Sequence, residues 1–440
     1  MINSNLKKKY TVNLNNLDRN FFELGIFFLA SAPFITSLLF LYPLCKGLLN
    51  SKNNFLHDRF NQILIIASFI LIFQSIISTF FITNGLESWN SSLNWAGIAN
   101  WVPMFLCYLG LNSYVNEKYK RRKVAKLFIA GNVPVLLTCI GQYWFIWYGP
   151  MDIFYGLIKW FQRPLEYTDS SVSGLFNNQN YTAIWLNMMW PLMLTLLQEK
   201  LKLKEVLKFN ILFLISIVNA FFLLLTNSRN GFLGLLISFA FFLRKKYLKW
   251  FLLVTGSLGI LIFLSNFLLI TDDIREFFGF IVPGNLENII SPIQLDLLSI
   301  PRINIWVNAI HFISQKPFFG WGAGSFPYLY EIKTGILNYH THNLFLEISV
   351  SFGLIVSFLL FFVIINILYK SFISIFMVNA DRSTVDKGWW IAGLVFFVSH
   401  LYDVLIFDIR VNLASWIFFI GLRNTFDISK TPYLEKVKSR

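Results

Sequence analysis

NYHTHNLFLEISVSFGLIVSFLLFF, residues 338–362, sets His340 and His342 one step before a long apolar run. About 20 apolar residues cross a bilayer as a helix, so the stretch reads as the mouth of a membrane span. The chain has five histidines in 440 residues, and two of them stand here. What they could do depends on the side they face and on what else faces it.

Comparable apolar runs fall near 60–83, 96–115, 127–148, 180–197, 209–226, 230–243, 247–270, 343–369, 389–406 and 410–423, with a further apolar stretch at 20–49 around Pro33. The composition agrees: 56% hydrophobic and 18% aromatic, with 14% charged, against about 25% charged in an average soluble domain. The runs are continuous rather than alternating, which indicates helices and not a barrel. The net charge of +14 is the signature of cytoplasmic loops and implies no nucleic-acid partner. Cys45, Cys107 and Cys139 lie in or at the ends of apolar runs, and their odd number without a CxxC spacing gives neither a disulfide framework nor a metal site. The first 20 residues are polar and show no cleavable signal, so the first helix is expected to direct insertion.

Loop charge sets the topology. Lys7, Lys8 and Lys9, EKYKRRKVAK (117–126), EKLKLKEVLK (199–208), RKKYLK (244–249), 370–387 and the C-terminal tail are basic, hence cytoplasmic. The connections 84–95, 149–179 and 271–341 are neutral or acidic and face outward. The basic loop 46–59 belongs inside with the N-terminus, which requires 20–49 to cross twice or re-enter, with Pro33 marking the break. The expected fold is all-α: a polytopic integral membrane helical bundle of about twelve transmembrane helices, or about eleven if 46–59 lies on the other side, with both ends cytoplasmic. Residues 1–440 read as a single membrane domain, and 271–341 as its one large outward loop, containing short helices.

Several polar clusters share the outer surface with the histidines. TNSRNGFLGL places Arg229 in a short outer turn, where it either snorkels to headgroups or holds an anion. SIPRINIWVNAIHFISQKPFFGWGAGSF (299–326) reads as an amphipathic helix opened by Pro301, with Arg302 at its N-terminal end and an apolar stripe of Ile303, Trp306, Ile310 and Ile313. The GWGAG that follows is a flexible turn rather than a phosphate cradle, since the lysine–serine pair of a P-loop is missing. SGLFNNQNYTAIW (173–185) offers Asn177, Asn178, Gln179 and Asn180 as helix cap or as sugar-binding neck. An HxH pair could bind a metal, but no neighbouring Asp or Cys completes a set, only Glu347 nearby in sequence, so no metal is expected. A structural role and a general-base role remain for the imidazoles, which accept a proton near neutral pH. Guanidinium groups grip phosphate oxygens bidentately and stay charged. Cations and a base beside the bilayer suggest group transfer from a lipid-linked phosphate, with the base activating an acceptor hydroxyl and the arginines offsetting charge on the leaving group.

These motifs, in this order, resemble the O-antigen ligase and polymerase superfamily. The resemblance covers roughly residues 60–423 and is strongest over 299–357, where PRINIWVNAIHFISQKPFFGWGAGSF precedes HTHNLFLEISVSFGLIVS. It implies a metal- and cofactor-independent glycosyltransferase that moves a glycan from undecaprenyl pyrophosphate to an acceptor hydroxyl at the outer face of the bacterial cytoplasmic membrane. The acceptor is lipid A–core in ligases and the growing glycan in polymerases. The family's paired arginines correspond to Arg229 and Arg302, and its catalytic histidine to His342, with His340 a neighbour. SHLYDVLIFDIR resembles a late motif and puts Asp403 at a polar position inside a span, where it could orient an arginine or the histidine. Polymerases often carry an arginine followed by a glycine eleven positions later. Arg163 and Gly174 have that spacing, while a single dominant late loop leans towards a ligase. A transporter of an anionic solute is the rival reading. It should show polar residues along several spans and inverted repeats, and neither is evident.

Overall fold

The computed structural model describes residues 16–50, 58–80, 89–165, 170–243, 301–378 and 384–426, and a few positions between 247 and 257. The expected span 247–270, the first half of the outer loop and both tails fall largely or wholly outside the described residues.

The apolar stretch around Pro33 folds as two helices, α1 (Leu17–Phe28) and α2 (Pro33–Asn50). Pro33 opens the second, where its missing N–H costs nothing. The hairpin's turn and its free ends sit at opposite ends of the molecule. The Ser31 carbonyl in the turn accepts from Trp160 Nε1 at 2.8 Å, while Asp18, near the start of α1, pairs with Lys46 at 2.9 Å and accepts from the Tyr114 hydroxyl at 2.7 Å. At 12 residues α1 rises only about 18 Å, short of the roughly 30 Å hydrocarbon core.

Next come α3 (Arg59–Phe80), the short α4 (Leu93–Ala99) and α5 (Val102–Gly110), and the long α6 (Lys118–Phe145). The expected span 96–115 is thus broken at Asn100 and Trp101, with Pro103 in the first turn of α5. A two-stranded antiparallel hairpin follows, β1 (Met151–Ile153) paired with β2 (Ile158–Trp160). It corrects the all-helical expectation for the 149–179 connection. The chain continues through α7 (Gln179–Lys202), α8 (Val206–Leu225) and α9 (Arg229–Phe242), resumes with α10 (Pro301–Gln315), α11 (Phe326–Thr334) and α12 (Leu344–Phe352), and ends with α13 (Leu354–Phe372), a π turn (Ile373–Val378), α14 (Thr384–Ser399) and α15 (Ile409–Arg423).

This is a multi-pass membrane protein. Among the described residues, five helices are long and apolar enough to cross a membrane: α2, α3, α6, α8 and α13 with its π turn. The count of about twelve is therefore not what these helices give by length and hydropathy. Two expected spans are cut short for visible reasons. Gly353, at φ +88, divides 343–369 into α12 and α13. A Cβ there would stand 2.1 Å from the Phe318 carbonyl oxygen, so only glycine admits that close approach. The span expected at 389–406 ends at Ser399, and Asp403 lies on the connection to α15 rather than inside a helix.

The interior combines tight helix contacts with paired polar groups. Gly388 lets α14 press onto α7, where a Cβ would meet the Pro191 carbonyl at 2.8 Å. Asn132 of α6 donates to Asn219 of α8 and accepts from Trp185 of α7, both at 2.9 Å. Arg121 and Asp386 form a buried bidentate pair at 2.7 and 3.1 Å that ties α6 to α14. The outer segment has a second core of Trp89, Ile305, Ala309, Phe312, Phe326, Leu329 and Val350. Of the apolar stripe expected on α10, Ile313 belongs to this core and Trp306 packs against it, with Ile305, Ala309 and Phe312 beside them, whereas Ile310 is 57% exposed.

Candidate active site

The segment between α11 and α12 is fixed at almost every polar atom. Asn343 caps α12: its Oδ1 accepts from Leu346 N–H at 3.0 Å, and its Nδ2 donates to the Leu401 carbonyl at 3.0 Å. Thr341 N–H donates to Glu347 Oε2 at 2.9 Å, and the Thr341 carbonyl accepts from Trp306 Nε1 of α10 at 3.0 Å. Leu344 N–H reaches the His400 carbonyl at 2.8 Å. Between these ties His342 takes φ +53, the left-handed region that costs an L-residue about 1–2 kcal/mol. A strained, over-determined backbone at a chemically capable side chain is a hallmark of functional positions.

The fold then supplies the partner that sequence proximity did not. Asp403, buried, brings Oδ1 to 3.3 Å from His342 Nδ1 and receives Val404 N–H on the same oxygen at 2.9 Å. Asn180, at the start of α7, donates its Nδ2 to Asp403 Oδ2 at 3.1 Å. A carboxylate only accepts, so Nδ1 of His342 carries the proton and Nε2 keeps its lone pair. His340 is set differently. Its Nδ1 accepts from His342 N–H at 3.3 Å, which places its proton on Nε2, 3.8 Å from Asp403 Oδ1. His340 sits on the loop outside the helices. Burial first, then the neighbouring His342 and Arg302, push it down to about 4 against the pull of Asp403, so it is neutral at neutral pH.

The candidate residues separate into three groups. His342, His340, Asp403 and Asn180 converge, and Arg302, on the first turn of α10, acts electrostatically on His340. Arg229 opens α9 with Ser228 as its cap and an exposed side chain. Among the described residues no hydrogen bond or ion pair links it to His342 or Asp403. Arg163 contributes backbone alone: its carbonyl accepts from Gln142 Nε2 at 2.7 Å, and its side chain is exposed. Gln142 Oε1 also accepts from Gly174 N–H at 2.8 Å, so the arginine and glycine noted for their spacing are joined through one glutamine. The GWGAG turn carries positive φ at all three glycines. Its Trp321, Gly322 and Ala323 N–H groups are spent on Val350 O, Ser351 O and Asn94 Oδ1, so these three are not left to cradle a phosphate.

Sequence reasoning passed over several supporting groups. Trp306 was placed in an apolar stripe, but it holds the loop of the base. Glu347 lies four residues after the cap, the one local hint of its contact. Arg410 is buried against Asp408, with Nε–Oδ1 at 2.8 Å, and lies 4.0 Å over the Phe176 ring. It thereby joins the Asn-rich neck before α7 to the connection that carries Asp403. His400 is fully satisfied, with Nδ1 2.8 Å from the Phe396 carbonyl and Nε2 accepting from Leu405 N–H at 3.2 Å.

The expectation that no acid completes the HxH pair is corrected: donor atoms of His340, His342 and Asp403 all lie within 4.8 Å of one another. Cation binding there would require an unprotonated His340 Nε2, and hence loss of the hydrogen bond that Nδ1 accepts from His342 N–H. The local hydrogen bonding favours a proton-handling site over a metal site.

Apolar helices long enough to cross a membrane, with an imidazole set against a carboxylate at one end of the bundle, make this a multi-pass membrane protein with a polar cluster at its rim. Residues 211–362, from α8 into α13, match the family model for O-antigen ligase, which supports the resemblance to the O-antigen ligase superfamily. The match includes Arg229, Arg302, His340 and His342, while Asn180 and Asp403 lie outside it. No curated protein matches the chain. The family supports a role in surface polysaccharide biosynthesis, with a lipid-linked glycan and an acceptor as partners in general terms.

Proposed function

We propose that the protein transfers a glycan from undecaprenyl pyrophosphate to an acceptor hydroxyl at the outer face of the bacterial cytoplasmic membrane, without metal or cofactor, and that lipid A–core is the acceptor of a ligase and the growing glycan that of a polymerase. The observation that carries this is the His342–Asp403 contact, formed between residues 61 apart in sequence. His342 Nε2 takes the proton of the acceptor hydroxyl. The acceptor oxygen forms a bond to the anomeric carbon as that carbon's bond to the pyrophosphate oxygen breaks, and the electron pair leaves with undecaprenyl pyrophosphate. Asp403 stabilises the imidazolium that forms, as the orienting acid of a triad does. Arg302, with Arg229 as its partner, offsets charge on the leaving pyrophosphate. Asn180 fixes the carboxylate, and Arg163 has no assigned step. An anionic-solute transporter would need polar groups along several spans. Here the described titratable cluster sits at one end of the bundle, which favours the transferase.

The test is complementation in a host lacking its surface-polysaccharide ligase, at matched expression. Wild type is expected to restore capped polysaccharide on a gel, and His342→Ala and Arg302→Ala to lose it. Restoration that survives His342→Ala removes the general-base role. If wild type restores only a polymerase-deficient host, the acceptor is the growing glycan.

A further inference from the structure

At the end of the bundle opposite the histidines, α1, α2 and α6 enclose an open cavity of about 280 Å³. Its charged lining is Arg19, Lys46, Lys120 and Lys123 against Asp18 and Glu23, an excess of two positive charges. The carboxylates hold the cations in place: Lys46 on Asp18 at 2.9 Å, and Arg19 and Lys123 both on Glu23, at 2.9 and 2.6 Å. Glu23 is thus shared by two cations. Lys120 is taken up by Glu117 at 2.9 Å and by the Ser113 carbonyl and Asn116 Oδ1, both at 2.8 Å. Arg19, Lys46 and Lys123 keep donors beyond their carboxylate contacts, since an ammonium has three and a guanidinium five. Tyr119 lies beneath both Arg19 and Lys120, at 5.8 Å from each.

A second feature continues from the cavity. Leu38, Tyr42 and Lys46 are spaced four apart on α2 and so share one face. Leu38 is 53% and Tyr42 43% exposed, and Leu24 of α1, beside Glu23, is 47% exposed. A cationic cavity therefore opens onto an apolar track that runs along the bundle.

We propose that this cavity binds the head group of an anionic glycerophospholipid, with the phosphodiester on Lys46, Lys123 and Arg19, a head-group hydroxyl on Asp18 or Glu23, and an acyl chain along Leu38 and Tyr42. Basic pockets between membrane helices on the side of the basic loops suit such head groups. A free phosphate would use the cations but not the track. The site is independent of the glycan chemistry and stands whether or not that reading holds.

The test is native mass spectrometry of the full chain in detergent, titrated with phosphatidylglycerol or with inorganic phosphate. Wild type is expected to retain one phosphatidylglycerol that a tenfold excess of inorganic phosphate does not displace. Lys46→Gln with Lys123→Gln should weaken retention about tenfold or more, on the scale of two lysines lost at an anionic surface. Lys208→Gln, an exposed lysine paired with Glu205 at 2.9 Å, should leave it unchanged. Leu38→Ser with Tyr42→Ser, which keeps every charge, should also reduce retention. Equal retention by the double lysine variant and wild type overturns the site. Displacement by inorganic phosphate, or indifference to the Leu38/Tyr42 pair, makes the ligand a soluble anion and overturns the lipid.

Discussion

Replacing Asp403 with asparagine isolates the charge behind the base. Val404 N–H donates to Oδ1 at 2.9 Å, so the amide oxygen of the variant is held where Oδ1 stood and still accepts from His342. The new amide nitrogen then faces Asn180, whose own amide can turn to accept it. Geometry is kept and one negative charge is lost. At 3.3 Å and an effective dielectric near 20, that charge interacts with an imidazolium by about 5 kcal/mol. The His342 side chain is 27% exposed, and water screens about half of this. Some 2–3 kcal/mol remains, or about a 30- to 150-fold fall in kcat. The assay is glycan transfer by purified protein in bilayers, with membrane level and melting temperature checked for each variant. In a His342→Ala background, Asp403→Asn should cost nothing further, because the group it serves is gone. A change below about twofold in the single variant, or a full further loss in the double, would refute the assignment of Asp403 to His342.

Three further outcomes follow from the same geometry. Trp306→Phe keeps the ring but removes the 3.0 Å hydrogen bond to the Thr341 carbonyl; about 1 kcal/mol predicts a roughly fivefold lower kcat with donor KM unchanged, measured by initial rates. Arg121→Ala leaves buried Asp386 without its bidentate partner and should destabilise the protein by about 3–5 kcal/mol in denaturation experiments, whereas replacing both residues by apolar ones should largely restore stability. His340 is held down to about 4 in the fold against a free value near 6.5. Its depressed value means that stability is full above about pH 6.5 and is lost as pH falls towards 4, by up to roughly 3 kcal/mol. His340→Gln should flatten that acid limb of the melting-temperature profile.

Much of this was written in local sequence. Pro33 announced the break between α1 and α2, Pro301 the start of α10, and Gly320, Gly322 and Gly324 the turn that carries positive φ. Asn343 and Asn178 are short-range caps whose residue types are legible without a fold. What could not be read is whatever depends on two distant segments meeting. Asp403 looked like a carboxylate inside a span because apolar residues run on past Ser399, and hydropathy does not see the helix stop. The α10 stripe failed at Ile310, which is apolar yet outward-facing, and periodicity alone cannot choose between two faces that both carry isoleucines. The hairpin at Met151–Trp160 is held by backbone pairing, to which side-chain composition gives little clue.

The ties within 301–354 also bear on how such a chain can diversify. Trp306 to Thr341, Trp321 N–H to Val350 O, Gly322 N–H to Ser351 O and Leu354 N–H to Pro317 O close this stretch on itself. His342 is therefore registered against α10 and α12. Both partners of each tie lie between Pro301 and Leu354. Changes of chain length ahead of Pro301 therefore leave all four ties in place, and sequence there can vary while the setting of His342 is inherited intact.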